Sequence, residues 1–186
     1  LITAATVSPG VTITRFSYTG SDGVPVMIGI DPNPADGWSI PWNTTPLADG
    51  IYQVKAAMEN STGEIGENQV TVWVDNSVPA PDILAPAPLS NLAGVSDIIV
   101  SANDPQKDVA SCAFAISANG ADWFDLPADT GGEDDDLWQT RVDTGQLAQG
   151  TYQLRATMAD EAGNTASIVW PVEVQPSYAA WKHEYG

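Results

Sequence analysis

The sequence has one cysteine, one histidine and six basic residues among 186. Each shortage excludes something. Cys112 has no partner for an intrachain disulfide, so the fold is held by packing rather than by covalent staples. His183 lies in the C-terminal stretch, so a Ser–His–Asp or Cys–His arrangement would have to run through that tail, and no nucleophile motif accompanies it. Six Lys and Arg stand against 24 Asp and Glu, a net charge of -18. Binding phosphates needs clustered Lys and Arg, so this balance excludes nucleic acid and argues against docking on anionic lipid. No apolar run approaches the roughly 18 residues that membrane insertion as a spanning helix requires. No secretory leader pattern opens the chain, and no phosphate loop, dinucleotide fingerprint or Cys/His zinc spacing is present.

What is there is a core-forming sequence. Hydrophobic residues make up 43% and charged residues 16%, which is not the composition of a disordered acidic tail. Sixteen Gly and 14 Pro imply many turns. The length suits two compact modules.

An internal repeat divides the chain. Trp38 to Val74 overlays Trp138 to Val174 at a constant offset of 100, with twelve identities in 37 positions. Among them are Trp38/Trp138, Gly50/Gly150, Tyr52/Tyr152, Ala56/Ala156, Met58/Met158 and Gly63/Gly163. Upstream the offset becomes 98, pairing Phe16 with Phe114 and setting residues 1–4 on residues 99–102. The expected domains are residues 1–76 and 77–175, with 176–186 as an aromatic tail or linker. Copy two carries about twenty further residues ahead of its aligned strand and copy one carries none, so copy one is expected to lack its first strand, which is either trimmed away or supplied by another chain or segment. An open sheet edge is a template for an added strand.

Within each copy the period is two. Tyr52, Val54, Ala56 and Met58 alternate with Gln53, Lys55 and Ala57, and Tyr152, Leu154, Ala156 and Met158 do the same. Cys112, Phe114 and Ile116 alternate likewise. Such runs are half-buried strands, and the turn clusters between them complete the pattern of an all-β fold, two tandem immunoglobulin-like β-sandwiches. The segments "LADGIYQV" and "LAQGTYQL" place Gly50 and Gly150 at a turn and Tyr52 and Tyr152 two residues on. That is the place of a tyrosine corner, whose hydroxyl bonds backbone near the preceding turn.

At "WNTTPLADGIYQVKAAMENSTGE" and "VDTGQLAQGTYQLRATMADEAGNTA" the sequence resembles the bacterial Ig-like domain family. The resemblance runs from Val11 to about Val174. It implies cysteine-poor sandwiches that recur in tandem on prokaryotic surface proteins, adhesins and secreted multidomain enzymes. The loop 127–136 of copy two departs from that pattern.

Candidate sites are few. Glu133, Asp134, Asp135 and Asp136 form an acidic loop, and Asp75 and Asp160 stand at the ends of strands. Hard carboxylate oxygens suit Ca2+, which takes six to eight of them, so both groups are calcium candidates, with a solvated acidic loop as the alternative at 133–136 and a Pro-stiffened linker as the alternative at the module junction that Asp75 marks. Trp73 and Trp123 have no Trp counterpart in the other copy and are candidates for stacking on polysaccharide or on a neighbouring subunit. Tyr178, Trp181 and Tyr185 make the tail a candidate for docking on a neighbouring module or on the open edge of copy one. Cys112 reads as a buried apolar thiol. The expected function is a non-enzymatic extracellular structural or adhesive module of a cell-surface or filament-forming assembly. Its partners would be copies of itself or other surface proteins, and strands exchanged between chains would link it. The alternative is a carbohydrate-binding or spacer module of a larger secreted enzyme.

Overall fold

The computed structural model describes residues 1–5, 10–104, 107–129 and 136–176. The chain divides into two compact units, Leu1–Asn76 and Ser77–Gly186.

The first unit contains β1 (Ile2–Thr3), β2 (Val11–Thr19), β3 (Pro25–Asp31), β4 (Ser39–Ile40), β5 (Gly50–Asn60) and β6 (Ile65–Val74). They form a four-stranded antiparallel sheet, β3-β2-β5-β6, and a two-stranded one, β1-β4. The second unit contains β7 (Pro81–Ala85), β8 (Asn91–Leu92), β9 (Val95–Ala102), β10 (Val109–Ser117), β11 (Phe124–Asp125), β12 (Leu137–Asp143), β13 (Gly150–Asp160) and β14 (Thr165–Val174). Here the sheets are larger: β11-β10-β13-β14-β8 and β12-β9-β7. All pairings are antiparallel except β8 with β14.

Alternation decides which side chains enter the core. On β13, Leu154, Ala156 and Met158 are fully buried. On the adjacent β10, so are Cys112 and, nearly, Phe114. From the opposite sheet Ile98, Val100, Trp138 and Val142 close over them. Each large apolar side chain so buried contributes about 1.5–3 kcal/mol. Tight turns join β5 to β6 and β13 to β14. At both turns the chain needs a positive φ, 82° at Gly63 and 91° at Gly163, where a Cβ would be strained.

Two details depart from the sequence reading. Pro34–Asp36 and Thr144–Gln146 are 3-10 turns, each opened by a side-chain oxygen, of Asn33 and Asp143, accepting a backbone N–H. The register of β1 also differs. Ile2 pairs with Ile40, whereas Ile98 pairs with Thr140. Because Ile40 and Thr140 correspond at offset 100, Ile2 corresponds to Ile98 and the offset in β1 is 96, not 98. The parity is unchanged, so the same face points inward.

Nothing among the described residues of the first unit corresponds to β7 or β8. In the second unit β7 pairs with the edge of β9, and β8 with the edge of β14. Among the described residues of the first unit β1 pairs only with β4 and β6 only with β5, so there both corresponding edges are bare.

Candidate functional site

Those bare edges border a groove. Its volume is about 630 Å3. Ile2, Thr3 and Ala4 line one wall, Ile65 to Val70 the other, and Phe16, Val54, Ala56 and Met58 the floor. The floor is the inner face of the four-stranded sheet.

The second unit shows what such a face looks like when covered. Along β14 the inward residues are Ala166, Ile168, Trp170, Val172 and Val174. Their counterparts on β6 are Gly66, Asn68, Val70, Val72 and Val74. Trp170 is 2% exposed, whereas Val70 is 56% exposed. Ala156 and Met158 are fully buried, whereas Ala56 and Met58 remain half-buried. The groove therefore sits where side-chain bulk is lost on β6 and where a β7 counterpart would lie. Its rim is polar. Asn60 Nδ2 donates to Glu64 Oε2 at 2.7 Å, and Lys55 Nζ to Glu67 Oε2 at 3.1 Å.

The tyrosine corner is present in the first unit: Tyr52 Oη donates to the Ala48 carbonyl at 2.9 Å. Gly50 and Gly150 enter their strands at φ 145° and 153°. Tyr152 packs against the second core. Tyr52 also belongs to an aromatic group, its ring edge-on to Tyr18 at 5.7 Å and to Trp42 at 6.4 Å.

Glu133, Asp134 and Asp135 lie outside the described residues, as do Tyr178, Trp181, Tyr185 and His183. Asp136 accepts from Lys107 Nζ at 3.1 Å. Asp75 follows β6 at the end of the first unit, and Asp160 closes β13 in the second. Asp160 is buried and accepts from the Asn164 N–H at 2.7 Å and from Asn164 Nδ2 at 2.9 Å. The sequence reading missed Asp108 beside it, whose carboxylate lies within 4.8 Å of that of Asp160. Nearby, Asp104 Oδ2 accepts the Asp108 N–H at 3.3 Å. This donor set has the chemistry of a hard divalent cation site, but Ca2+ needs further oxygens to complete its shell.

Trp73 faces solvent, 61% exposed. Trp123 is half-buried, and the Arg155 guanidinium lies 4.3 Å from its ring centroid, so one ring face is already taken. Phe124 beside it is 70% exposed.

Cys112 is fully buried, and burial, assisted by the negative charge of Asp129, pushes its thiol up to about 12. At neutral pH it holds its proton and offers no thiolate nucleophile. Asp129 is a second missed residue. It corresponds to Asp31 at offset 98, as Cys112 does to Thr14, so extending the upstream alignment finds it.

No protein-family model matches the chain, and no curated protein does. Solved structures do match. One is an endo-beta-1,4-mannanase from Thermotoga petrophila, 10% identical at TM-score 0.43, covering 55% of this chain and 21% of that one. Another is a tetra-tandem repeat in the extending region of a large adhesion protein, 20% identical at TM-score 0.40, covering 91% and 43%. A third comprises the chicken CNTN1 FN1-FN3 domains, 16% identical at TM-score 0.45, covering 87% and 56%. The chain thus spans about a fifth and under half of the first two. Its described residues form an all-β fold. No helix among the described residues is long and apolar enough to cross a membrane.

Proposed function

We propose that this chain is a non-enzymatic structural module of an extracellular assembly, joined to its neighbours by a strand that enters the groove of the first unit. One observation carries the reading. The face closed by β7 and by Trp170 in the second unit is open in the first, with two unpaired strand edges beside it. Bare edges beside an apolar floor favour β-augmentation, because an added strand satisfies backbone groups and covers the floor together. The protonated, buried Cys112 agrees with a role outside covalent catalysis.

The test is amide hydrogen exchange in β1 and β6, with and without a synthetic peptide of residues 79–94, the segment that contains β7 and β8. Slowed exchange in both strands on adding peptide is the expected result. Unchanged exchange in a well-folded chain would count against the reading.

Calcium belongs to the same proposal as a stabiliser at Asp108 and Asp160. Its test is the melting temperature in EDTA and in millimolar Ca2+. A higher value in Ca2+ is expected, and equal values remove the ion from the proposal.

A further inference from the structure

We infer that the strand entering the groove is residues 181–185 of a second copy of this chain, so that copies join head to tail. The inference rests on the reading above, that the groove accepts a strand, and adds the identity and register of the donor.

Three observations converge. The first is spacing. β6 ends at Val74 and β7 runs from Pro81 to Ala85. β14 ends at Val174, and at the repeat offset of 100 the positions of β7 fall on Trp181 to Tyr185. The stretch that follows the second unit thus has, in sequence, the place of the strand that opens a unit.

The second is pattern. In β7 the half-buried Pro81 and Ile83 alternate with the exposed Asp82; the register shifts after Ile83, and Ala85 pairs with Ile99, between the inward Ile98 and Val100. At the repeat offset the positions of Pro81 and Ile83 hold Trp181 and His183, those of Asp82 and Leu84 hold Lys182 and Glu184, and that of Ala85, beyond the register shift, holds Tyr185. Ahead of the register shift Trp181 and His183 share one face and Lys182 takes the other, the alternation an added strand requires. The bulk also fits what the groove lacks, since Val70 stands where the covered unit has Trp170.

The third is charge. Glu64 stands on the groove wall, where Glu67 is already ion-paired with Lys55, in a chain with net charge -18. Most segments of such a chain would be repelled there. Residues 177–186 carry one Lys, one Glu and the single His, so their side chains bring no net negative charge.

The register follows from the second unit. Ile83 pairs with Val100 and Ala85 with Ile99. At the offset of 96 that the β1 register defines, Val100 corresponds to Ala4 and Ile99 to Thr3. The donor's His183 therefore lies opposite Ala4, and its Tyr185 opposite Thr3.

The experiment is a disulfide trap in the full chain with Cys112→Ala. Ala4→Cys is combined with His183→Cys, and Val24→Cys with His183→Cys serves as the control. Cross-strand partners lie within disulfide reach, whereas Val24 sits in the β2–β3 turn. Mild oxidation is expected to give the first variant a ladder of covalent dimers and longer species that collapses on reduction, and to leave the control a monomer. Light scattering on the unmodified chain is expected to show mass rising with concentration, a rise lost in Trp181→Asp/Tyr185→Asp. No ladder, a ladder equal to the control's, or a disulfide closed within one chain at monomer mass overturns the donation. Adding the 79–94 peptide to the Trp181→Asp/Tyr185→Asp chain separates the two readings. Slowed exchange in β1 and β6 there, together with a failed trap, leaves strand completion standing and removes only this donor. Failure of both removes both.

Discussion

Cys112 and Asp129 exchange both of their backbone hydrogen bonds, N–H to carbonyl at 2.8 and 2.9 Å. The exchange sets an acidic residue beside a fully buried thiol. The second unit therefore holds a cysteine that burial keeps protonated, with the neighbouring negative charge adding to the effect.

A chemical test follows. The thiol is expected to be inert to a disulfide reagent at pH 8 in the folded protein and to react at once in denaturant. The sign of the pH effect is fixed by the raised value. An unfolded thiol loses its proton near 9, the folded one near 12. Between those values the unfolded chain binds fewer protons, so stability falls as pH rises. The contribution is fully present below pH 9 and disappears toward pH 12. Cys112→Ala is expected to flatten this limb, as urea midpoints at pH 8 and pH 10.5 would show. Equal slopes for the two proteins would contradict the assignment.

The two faces of the repeat also respond differently to truncation. Trp170→Ala empties a filled core and is expected to cost ~3–5 kcal/mol. Val70→Ala removes a side chain more than half exposed and is expected to cost under ~1 kcal/mol, because little surface returns to water. Denaturant unfolding of the two variants decides it. Similar losses would mean that the groove is covered in solution by something already bound.

Much of this architecture is legible in the sequence because its code is local. The alternation in residues 152–158 is the burial pattern of β13, whereas in β5, which floors the groove, only Val54 is buried, and the Gly50-to-Tyr52 spacing is the tyrosine corner. Other parts depend on distant partners. β8 is two residues long and pairs with a strand some 80 residues away, so no periodicity announces it. Trp123 reads as a stacking platform until Arg155 is found over its ring. Asp31 and Asp129 lie ahead of the step in the repeat offset, so the alignment that is densest after Trp38 does not draw the eye to them. The pairing of β1 needs the register itself, since residues 1–4 are too few to align uniquely.

The turn after β13 offers a reciprocal test. Asp160 accepts from the Asn164 amide at 2.9 Å, and in the first unit Asn60 donates to the Glu64 carboxylate at 2.7 Å. The two turns carry the same amide–carboxylate bond with the partners exchanged. Asp160→Asn leaves two amides facing each other and is expected to cost ~1 kcal/mol. Adding Asn164→Glu rebuilds the arrangement of the first unit and is expected to recover most of that loss. A double-mutant cycle measures the coupling. Additive losses would show that the bond contributes nothing.

The Tyr52 hydroxyl gives the last test. Its bond to the Ala48 carbonyl closes the turn that leads into β5, and its ring packs edge-on against Tyr18 and Trp42. Tyr52→Phe keeps the ring and deletes the bond, so the expected loss is ~0.5–1.5 kcal/mol, the net worth of a neutral hydrogen bond. Tyr52→Ala also removes the ring from the aromatic group and is expected to cost ~3 kcal/mol or more. Because Tyr52 Cε1 lies 3.1 Å from where a Cβ on Gly20 would stand, Gly20→Ala pushes against the same ring. It is expected to destabilise the parent more than the Tyr52→Ala variant. If Gly20→Ala costs the same in both, the ring does not hold the β2–β3 turn against β5, and the corner stabilises the first unit only through its hydrogen bond.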